Sequence, residues 1–434
     1  MNLSDRIAAR DVRITVVGLG YVGLPLAVEF AQAGVRVSGY EIDPLKLEFL
    51  RQGESYIGDV PSDRVRPLVE SGRFTPTRDP GCISHSDVVI ICVPTPCVNG
   101  HEPDLSFVQC AGRTVSENLR AGQLVILEST SFPGTTEEML QPILEKSGLK
   151  AGQDFHLAFS PERIDPGNPT YGIRNTPKVV AGTLPDATAL AEQVYRIVAE
   201  EVRCVSSPRV AEMSKLYENT FRHVNIAFAN EMALLCEEMG IPIWEVIEAA
   251  STKPFGFMPF HPGPGVGGHC IPVDPQYLLY KARQCGCDLK FVELANEIND
   301  KMPVRVVEKV KDALHERGKS LDGANVLVLG VAYKKDIDDV RESPAIKVIA
   351  RLLKAGARVR YHDPLVGSFD NGVGRFESVD LTPAALRESD CVVICTDHTD
   401  VNYDRVIAHG SLVIDTRDTL RRRASDGKRT LLDV

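Results

Sequence analysis

The sequence predicts an α/β protein of two doubly wound domains joined by a helical middle segment with one long central helix. Three observations lead there. A strand, a glycine turn, a helix and a second strand follow one another over residues 14–43. The order of strand-like runs in the first half recurs after residue 324. Between the two, from residue 208 to 240, apolar residues change to steps of three and four.

The opening unit starts with the β-branched run ITVV (14–17), then GLGYVG (18–23), an apolar helix over 24–34, and a strand over 35–40 that ends at Glu41 and Asp43. The glycine pattern alone is weak. Here it follows a strand, opens a helix, and meets the acid Glu41 18 residues after Gly23, the arrangement of a dinucleotide site. Gly18 makes the tight turn, Gly20 lets the backbone approach a pyrophosphate, and Gly23 allows close helix–strand packing. The helix N-terminus then faces the phosphates. Glu41 can accept from ribose hydroxyls and repels a 2′-phosphate, which favours NAD over NADP. The runs SDVVIICVPT (86–95) and LVILEST (124–130) are continuously apolar before they end, as strands are when helices cover both faces of a sheet. Residues 1–205 therefore read as one Rossmann-like, NAD-binding domain.

In the middle segment, 206–317, Val210, Met213, Leu216, Tyr217, Phe221, Val224 and Phe228 recur at helical spacing. Further helices are expected over 274–282 and 291–317, with a glycine- and proline-rich stretch before them. The central helix is long for a bridge within one chain and is a candidate dimer interface; Met213, Met232 and Met239 read as core or interface filler. The chain then repeats itself. ANVLVLG (324–330) resembles the first strand and turn, RVRYHDP (358–364) echoes RVSGYEIDP (36–44), and SDCVVIC (389–395) echoes SDVVIIC (86–92). Residues 318–434 are thus expected to form a second Rossmann-like domain. Its turn, GVAYK (330–334), lacks the second and third glycines, so a second dinucleotide is not expected. Lys334, Lys335 and Arg341 point to another phosphate-bearing ligand.

With 434 residues, 43% hydrophobic and 25% charged, the chain has the composition of a soluble globular protein of two or three domains. A net charge of −10 argues against a general nucleic-acid binder. An anionic ligand would need local Lys and Arg and helix N-termini. No apolar run approaches the ~18 residues of a membrane span, and the run at 14–17 is too short for a signal segment. Cys92, Cys391 and Cys395 lie in apolar runs, so the eleven cysteines are read as reduced thiols and the protein as cytoplasmic. There is no CxxC, and Cys285-Gly-Cys287 is too closely spaced for a zinc knuckle, so no metal site is expected.

The stretch HPGPGVGGHCIPVDP (261–275) can be neither helix nor strand, yet it carries a thiol. Half a metal site, a small apolar filler, and a nucleophile on a loop built for close approach all compete for Cys270. Its company matters: Asp274 follows four residues on, and Lys215 and Asn219 share one helix face at i,i+4. Ser129 and Thr130 stand at a strand end, and Glu162 at a loop start. His101 and His261 read as solvated loop residues, and Cys97 as a plain small one.

Taken together, GLGYVGLP (18–25), CVPTP (92–96), LESTSFPGTTEE (127–138), FSPERIDPGNP (159–169), SKLYENTFRHVNIAFANE (214–231), TKPFGF (252–257), PGPGVGGHCIPVDP (262–275) and AYKKDIDDVRESPA (332–345) resemble, in order, the UDP-glucose/GDP-mannose (nucleotide-sugar) 6-dehydrogenase family. The likeness runs from residue 14 to about 417. It implies oxidation of a sugar C6 alcohol to the carboxylate, two NAD being consumed in one site, with a thiol that forms a thiohemiacetal and then a thioester. The family's nucleophile falls on Cys270, its Lys, Asn and Asp on Lys215, Asn219 and Asp274, and its water-handling Thr and Glu on Thr130 and Glu162. Cofactor contacts fall on Gly18, Gly20, Tyr21, Val22, Gly23, Glu41, Asp43, Lys46, Thr95, Thr130 and Arg341. Contacts to the UDP-sugar fall on Glu162, Arg163, Asp165, Lys215, Asn219, Gly267, Lys334 and Arg417. A homodimer or higher homo-oligomer is implied as well.

The residue types suit this chemistry. A Lys215 base, with Asn219 and a water held by Asp274, can take the hydroxyl proton and stabilise the alkoxide. A Cys270 thiolate, favoured by nearby Lys215, can add to the aldehyde. Glu162 with Thr130 can activate water against the thioester. His269 and Val273 stand where glucose- and mannose-type members carry Ser and Lys, which is similar to the N-acetylhexosamine group of the family and makes UDP-N-acetylglucosamine, for surface polysaccharide synthesis, the expected substrate. UDP-N-acetylgalactosamine, UDP-N-acetylmannosamine and UDP-glucose are the alternatives within this chemistry. A single-step β-hydroxyacid-type dehydrogenase and a nucleotide-sensing binding protein are the alternatives outside it.

Overall fold

Apolar runs such as VVII and LVIL are buried on both faces because they form the middle of a sheet that helices cover on each side. The computed structural model describes residues 2–98, 102–165, 167–370, 374–421 and 431–433; His101 lies outside the described residues. The chain divides into two compact units, Met1–Glu218 with Gln276–Gly286, and Asn219–Pro275 with Cys287–Val434.

The first unit contains an eight-stranded sheet of β1 (Arg13–Val17), β2 (Arg36–Tyr40), β3 (Phe74–Thr77), β4 (Val88–Ile91), β5 (Leu124–Leu127), β6 (His156–Phe159), β7 (Lys178–Gly182) and β8 (Val202–Cys204), in the order β8-β7-β6-β5-β4-β1-β2-β3. All neighbours are parallel except β6 and β7, which pair antiparallel at Ala158–Gly182 and Phe159–Ala181. The chain crosses from one half of the sheet to the other between β1 and β4, the position where doubly wound folds open a crevice at the strand C-termini. Helix α1 (Gly23–Gln32) follows β1, and α2 (Pro185–Tyr195) follows β7. Their buried faces meet the sheet through Phe30, Ala191, Val194 and Tyr195, with Ile14, Val16, Val88, Ile90, Leu124 and Ile126 from the strands.

Helix α3 (Pro208–Glu238) is the long central helix; it begins in the first unit and continues into the second. Ala211, Leu216, Ala227, Ala229 and Ala233 are buried, whereas Val210, Met213, Tyr217, Phe221, Phe228 and Leu235 are exposed, Tyr217 by 67% and Phe228 by 57%. The helical periodicity in the sequence thus combines two faces: the alanines and Leu216 pack, while Tyr217, Phe221 and Phe228 stay open in the single chain. Helix α4 (Asp274–Gln284) follows the glycine-proline stretch, and α5 (Lys290–Glu316) leads into the last domain.

There a five-stranded parallel sheet is ordered β10-β9-β11-β12-β13, from β9 (Asn325–Leu329), β10 (Arg358–His362), β11 (Cys391–Ile394), β12 (Val413–Asp415) and β13 (Leu431–Asp433), with helix α6 (Pro344–Lys354) following β9. One face buries Val326 and Val328 against Met302, Val306 and Val310 of α5 and Val348, Ile349 and Leu352 of α6; Leu327 and Leu329 pack on the other. The turn after β9 differs from its counterpart after β1. Asp363 accepts from Val331 N (2.7 Å), Ala332 N (3.2 Å), Leu365 N (2.9 Å) and Val366 N (3.0 Å). His398 adds Nε2 at 3.0 Å, its proton fixed there because Nδ1 accepts from Asp336 N. The backbone donors of this turn are therefore taken by a buried carboxylate. Among the described residues no helix is long and apolar enough to cross a membrane.

Candidate active site

The glycine turn is built for close approach. Gly18 has φ +90°, where only glycine is at ease, and a Cβ on it would lie 2.6 Å from Cys92 O. A Cβ on Gly23, the first residue of α1, would lie 1.9 Å from Gly18 O. Around Gly20, by contrast, a Cβ would meet nothing within 4 Å. Two glycines thus close the turn, and the third keeps open the face on which a pyrophosphate must approach. Glu41 is buried at the end of β2, with Oε2 accepting from Leu19 N (3.0 Å) and Oε1 from Ile42 N (2.8 Å) and Asp43 N (3.1 Å). Lys46 lies 3.8 Å from it. Asp43 caps the next helix through Leu45 N at 2.9 Å. Val22 precedes α1, Tyr21 is exposed and Thr95 is buried. This cradle fits a dinucleotide with a free 2′-hydroxyl.

In the second unit, Asn219 and Asp274, 55 residues apart, meet: Asn219 Nδ2 donates to Asp274 Oδ2 at 2.5 Å. Asp274 opens α4, and its N–H donates to Cys270 O at 2.8 Å, so the half-buried thiol sits in the turn that starts this helix. Lys215, 7% exposed, is one turn before Asn219 on α3. The glycines of the cysteine loop are set by its neighbours. A Cβ on Gly267 would lie 2.7 Å from Pro344 Cδ, and one on Gly268, at φ +90°, 2.7 Å from the Tyr333 ring. Gly268 N donates to Arg341 O at 3.2 Å. The start of the loop is held by Asn230, whose Oδ1 accepts from Gly263 N (2.9 Å) while its Nδ2 donates to Asn299 Oδ1 (2.9 Å). His261, read from sequence as a solvated residue, is exposed but stacked on Trp244 at 5.3 Å and 16°.

Arg417 is half-buried beside Gly263 and donates Nε to Cys395 O at 2.9 Å; desolvation lowers its pKa. Within its unit the Arg341 guanidinium is turned to Asp339, at 2.6 Å, so its observed work is to hold its own loop and, through its carbonyl, Gly268. Lys334 is half-buried, and Lys335 lies 3.7 Å from Asp397.

Thr130 and Glu162 follow the paired strands β5 and β6. Glu162 Oε1 accepts from Arg163 N and Ile164 N, both at 2.7 Å, and Oε2 from Lys178 Nζ at 3.0 Å. Lys178 opens β7 and also pairs with Glu128, whose other oxygen accepts from Tyr195 OH at 2.6 Å. Burial raises Glu128 well above the usual carboxylate range against the pull of Lys178. Burial works to raise Glu162 too, but the Lys178 charge and the hydrogen bonds outweigh it and hold that carboxyl down. Arg163 is engaged by Glu218, at 2.8 Å, and by Pro177 O, at 2.6 Å; Asp165 accepts from Asn168 at 3.3 Å. Glu128, Lys178 and Tyr195 were missed in the sequence. The available signal was a carboxylate inside the run LVILES and a lysine at the head of VVAG, both too apolar in context for ordinary surface charges.

Models of the UDP-glucose/GDP-mannose dehydrogenase family match the chain three times: the NAD-binding domain over residues 12–199, the central domain over 209–301 and the UDP-binding domain over 327–422. The chain belongs to this family. It is similar to the UDP-N-acetyl-D-mannosamine dehydrogenase of Pyrococcus horikoshii, 37% identical over 418 residues that cover 94% of this chain and 96% of the relative. It is also similar to the UDP-N-acetyl-D-glucosamine 6-dehydrogenase of Pseudomonas aeruginosa, 38% identical over 363 residues, 83% of this chain and 85% of the relative. The solved structure of the P. horikoshii UDP-D-ManNAc dehydrogenase superposes with a TM-score of 0.88 at 35% identity, covering 97% of this chain and 99% of that one. As a member of the family the protein is an NAD-dependent UDP-sugar dehydrogenase. The Gly18–Gly23 turn lies in its NAD-binding domain, and Lys334, Asp363 and Arg417 in its UDP-binding domain.

Proposed function

We propose that the protein oxidises the C6 hydroxyl of UDP-N-acetyl-D-glucosamine to the carboxylate in two two-electron rounds, with Cys270 holding the sugar between them. The observation that carries this reading is the Asn219–Asp274 hydrogen bond at the turn where Asp274 N also holds Cys270 O. It gathers a thiol, an amide and a carboxylate at the N-terminus of α4. Bound NAD supplies the electron acceptor in both rounds.

In the first round Lys215 holds the proton that leaves the C6 hydroxyl. Asn219 turns its second amide hydrogen to the developing alkoxide while Asp274 fixes the first. In the second, the Cys270 thiolate adds to the aldehyde carbon, and the thiohemiacetal becomes a thioester on losing two electrons. Water, oriented by Thr130, then attacks the thioester carbon. Glu162 takes one of its protons, the C–S bond breaks, and the thiolate returns. In the UDP-binding domain, Lys334 and Arg417 would supply the cations for the diphosphate.

For the sugar, His269 before the thiol and Val273 before Asp274 support an N-acetylhexosamine. A second reading, UDP-N-acetylmannosamine, is favoured by the relatives that carry that name. Initial rates with UDP-N-acetylglucosamine, its manno and galacto epimers and UDP-glucose decide between them; faster turnover of the manno epimer or of UDP-glucose would replace the first reading. We also infer that a second copy of the chain covers the exposed large residues of α3.

A further inference from the structure

In the UDP-binding domain a buried histidine and a buried aspartate are tied into the turn that carries Lys334, and neither takes part in the chemistry at the sugar. The three strand ends involved are neighbours, since β9 lies between β10 and β11. Asp363 follows β10, His398 follows β11, and the turn 330–336 follows β9. Asp363 is 3% exposed and His398 is fully buried, so neither is placed to touch substrate. Resting on the reading of Lys334 as a cation for the diphosphate, we propose that Asp363 and His398 are positioning residues for the UDP end of the substrate: they hold the 330–336 turn at both ends and so fix the backbone from which the Lys334 side chain starts.

At the near end Asp363 Oδ2 accepts from Val331 N (2.7 Å) and Ala332 N (3.2 Å), while Oδ1 accepts from Leu365 N (2.9 Å) and Val366 N (3.0 Å). Thr396 Oγ1 adds a bond to Ala332 O at 2.6 Å. At the far end Asp336 N donates to His398 Nδ1 at 3.0 Å, and the Asp336 carboxylate accepts from Thr399 N (2.7 Å) and Thr399 Oγ1 (2.6 Å). A backbone N–H can only donate, so Nδ1 carries no proton, and Nε2 donates to Asp363 Oδ2 at 3.0 Å. One imidazole thus joins the two ends of the turn. Asp336 has φ +59°, a left-handed conformation that is uncommon outside glycine and persists where the surroundings hold it.

The turn after β1 shows why such a clamp is needed. There Gly20 leaves the backbone open to a pyrophosphate. After β9 the N–H groups of Val331 and Ala332 are taken by Asp363, so this turn cannot offer them to phosphate. The charge must come from a side chain, and lysine carries a strongly hydrated ammonium on a flexible stem. On a mobile backbone much of its contribution to binding is lost in ordering it; on a backbone already set, less is lost. Between Ala332 and Asp336 lie Tyr333, Lys334 and Lys335. The Tyr333 ring lies against Gly268 of the cysteine loop, and Tyr333 N is tied separately, to Asp339 O at 2.9 Å. Loss of His398 should therefore loosen Lys334 and leave the Cys270 loop supported.

The test uses the full-length protein. Calorimetric titration gives Kd for UDP and for NAD, and initial rates give kcat and KM with whichever of the four UDP-sugars the wild type turns over fastest. His398→Leu removes both imidazole bonds. It is expected to raise Kd for UDP and KM for the UDP-sugar about tenfold, with kcat and Kd for NAD within about threefold of wild type. Two variants at the exposed Asp336 test the far end without touching the core. Asp336→Gly loses the bonds to Thr399, keeps the N–H to His398 and suits the left-handed φ, whereas Asp336→Asn also keeps an acceptor for Thr399. Both remove a negative charge two residues from Lys334, which by charge alone would tighten UDP binding. Asp336→Gly is expected instead to weaken it about fivefold, and Asp336→Asn to bind at least as well as the wild type. The proposal is overturned if His398→Leu binds UDP like the wild type, or if its Kd for NAD rises in step with that for UDP. It is equally overturned if Asp336→Gly binds UDP as tightly as Asp336→Asn, and this pair decides alone if His398→Leu does not fold. Lys334→Ala run in parallel separates the two layers. If it binds UDP like the wild type, the diphosphate role of Lys334 fails and the inference with it; if it weakens UDP binding while His398→Leu and Asp336→Gly do not, only the inference fails.

Discussion

Gly20→Ala and Gly23→Ala are single-methyl changes in the same turn, and the structure assigns them opposite consequences. At Gly23 the new Cβ would lie 1.9 Å from Gly18 O and 3.2 Å from Cys92 Cβ. An ordinary carbon–oxygen approach is about 3.3 Å, so two backbone segments must part by about 1.4 Å. No side chain can rotate out of the way. Overpacking of this kind costs about 3 kcal/mol, which in a domain of this size lowers Tm by roughly 6 °C or more. At Gly20 nothing lies within 4 Å and no left-handed φ is required, so stability should stay within about 1 kcal/mol of wild type. The methyl instead occupies the space the pyrophosphate needs, and NAD affinity should fall at least tenfold, about 1.4 kcal/mol. Differential scanning calorimetry gives Tm, and calorimetric titration with NAD gives Kd. The reasoning is refuted if Gly20→Ala binds NAD like the wild type, or if it melts as early as Gly23→Ala.

Three further outcomes follow from other parts of the molecule. Asn219→Ala removes the donor to Asp274 and the amide meant for the alkoxide, so kcat should fall about a hundredfold or more with little change in urea midpoint. Glu212 accepts from Gly134 N, Thr136 N and Thr136 Oγ1, and burial raises its pKa to about 7. Because the folded state holds this proton more tightly than the unfolded chain, the associated stability is full below the ordinary glutamate value and is lost as pH rises to about 7, on the order of 3 kcal/mol. Chemical denaturation from pH 5 to 8 should therefore show falling stability in the wild type and a flatter profile in Glu212→Gln. Phe228→Glu, on the exposed face of α3, should shift the light-scattering mass toward the monomer; an unchanged mass would mean that another surface holds the copies together.

The two sheets could be read because their signals are local. VVII and LVIL are apolar without a break, and the same order of strands returns in VLVL and CVVI, so both sheets follow from pattern alone. Direction was not legible: VVAG runs antiparallel to its neighbour although nothing in four small residues encodes it. Periodicity in α3 showed that the helix was apolar, but it could not separate the face that packs, at Ala227 and Ala233, from the face left open at Tyr217 and Phe228. In the site, Asn219 and Asp274 came from the family likeness, and only coordinates show that they touch. Lys178 stands 50 residues from Glu128 and 16 from Glu162; it begins one strand, while Glu128 directly follows a second and Glu162 lies in the turn after a third. A buried ion cluster assembled from three chain segments leaves no spacing to read.

The central claim is that one site removes four electrons from one sugar through Cys270. It is tested most directly by counting NADH formed per UDP-N-acetylglucosamine consumed, with wild type and Cys270→Ala side by side. The account predicts two NADH per sugar for the wild type, and for Cys270→Ala no uronic acid product and no turnover beyond the aldehyde stage. One NADH per sugar, or full acid formation by Cys270→Ala, would contradict it.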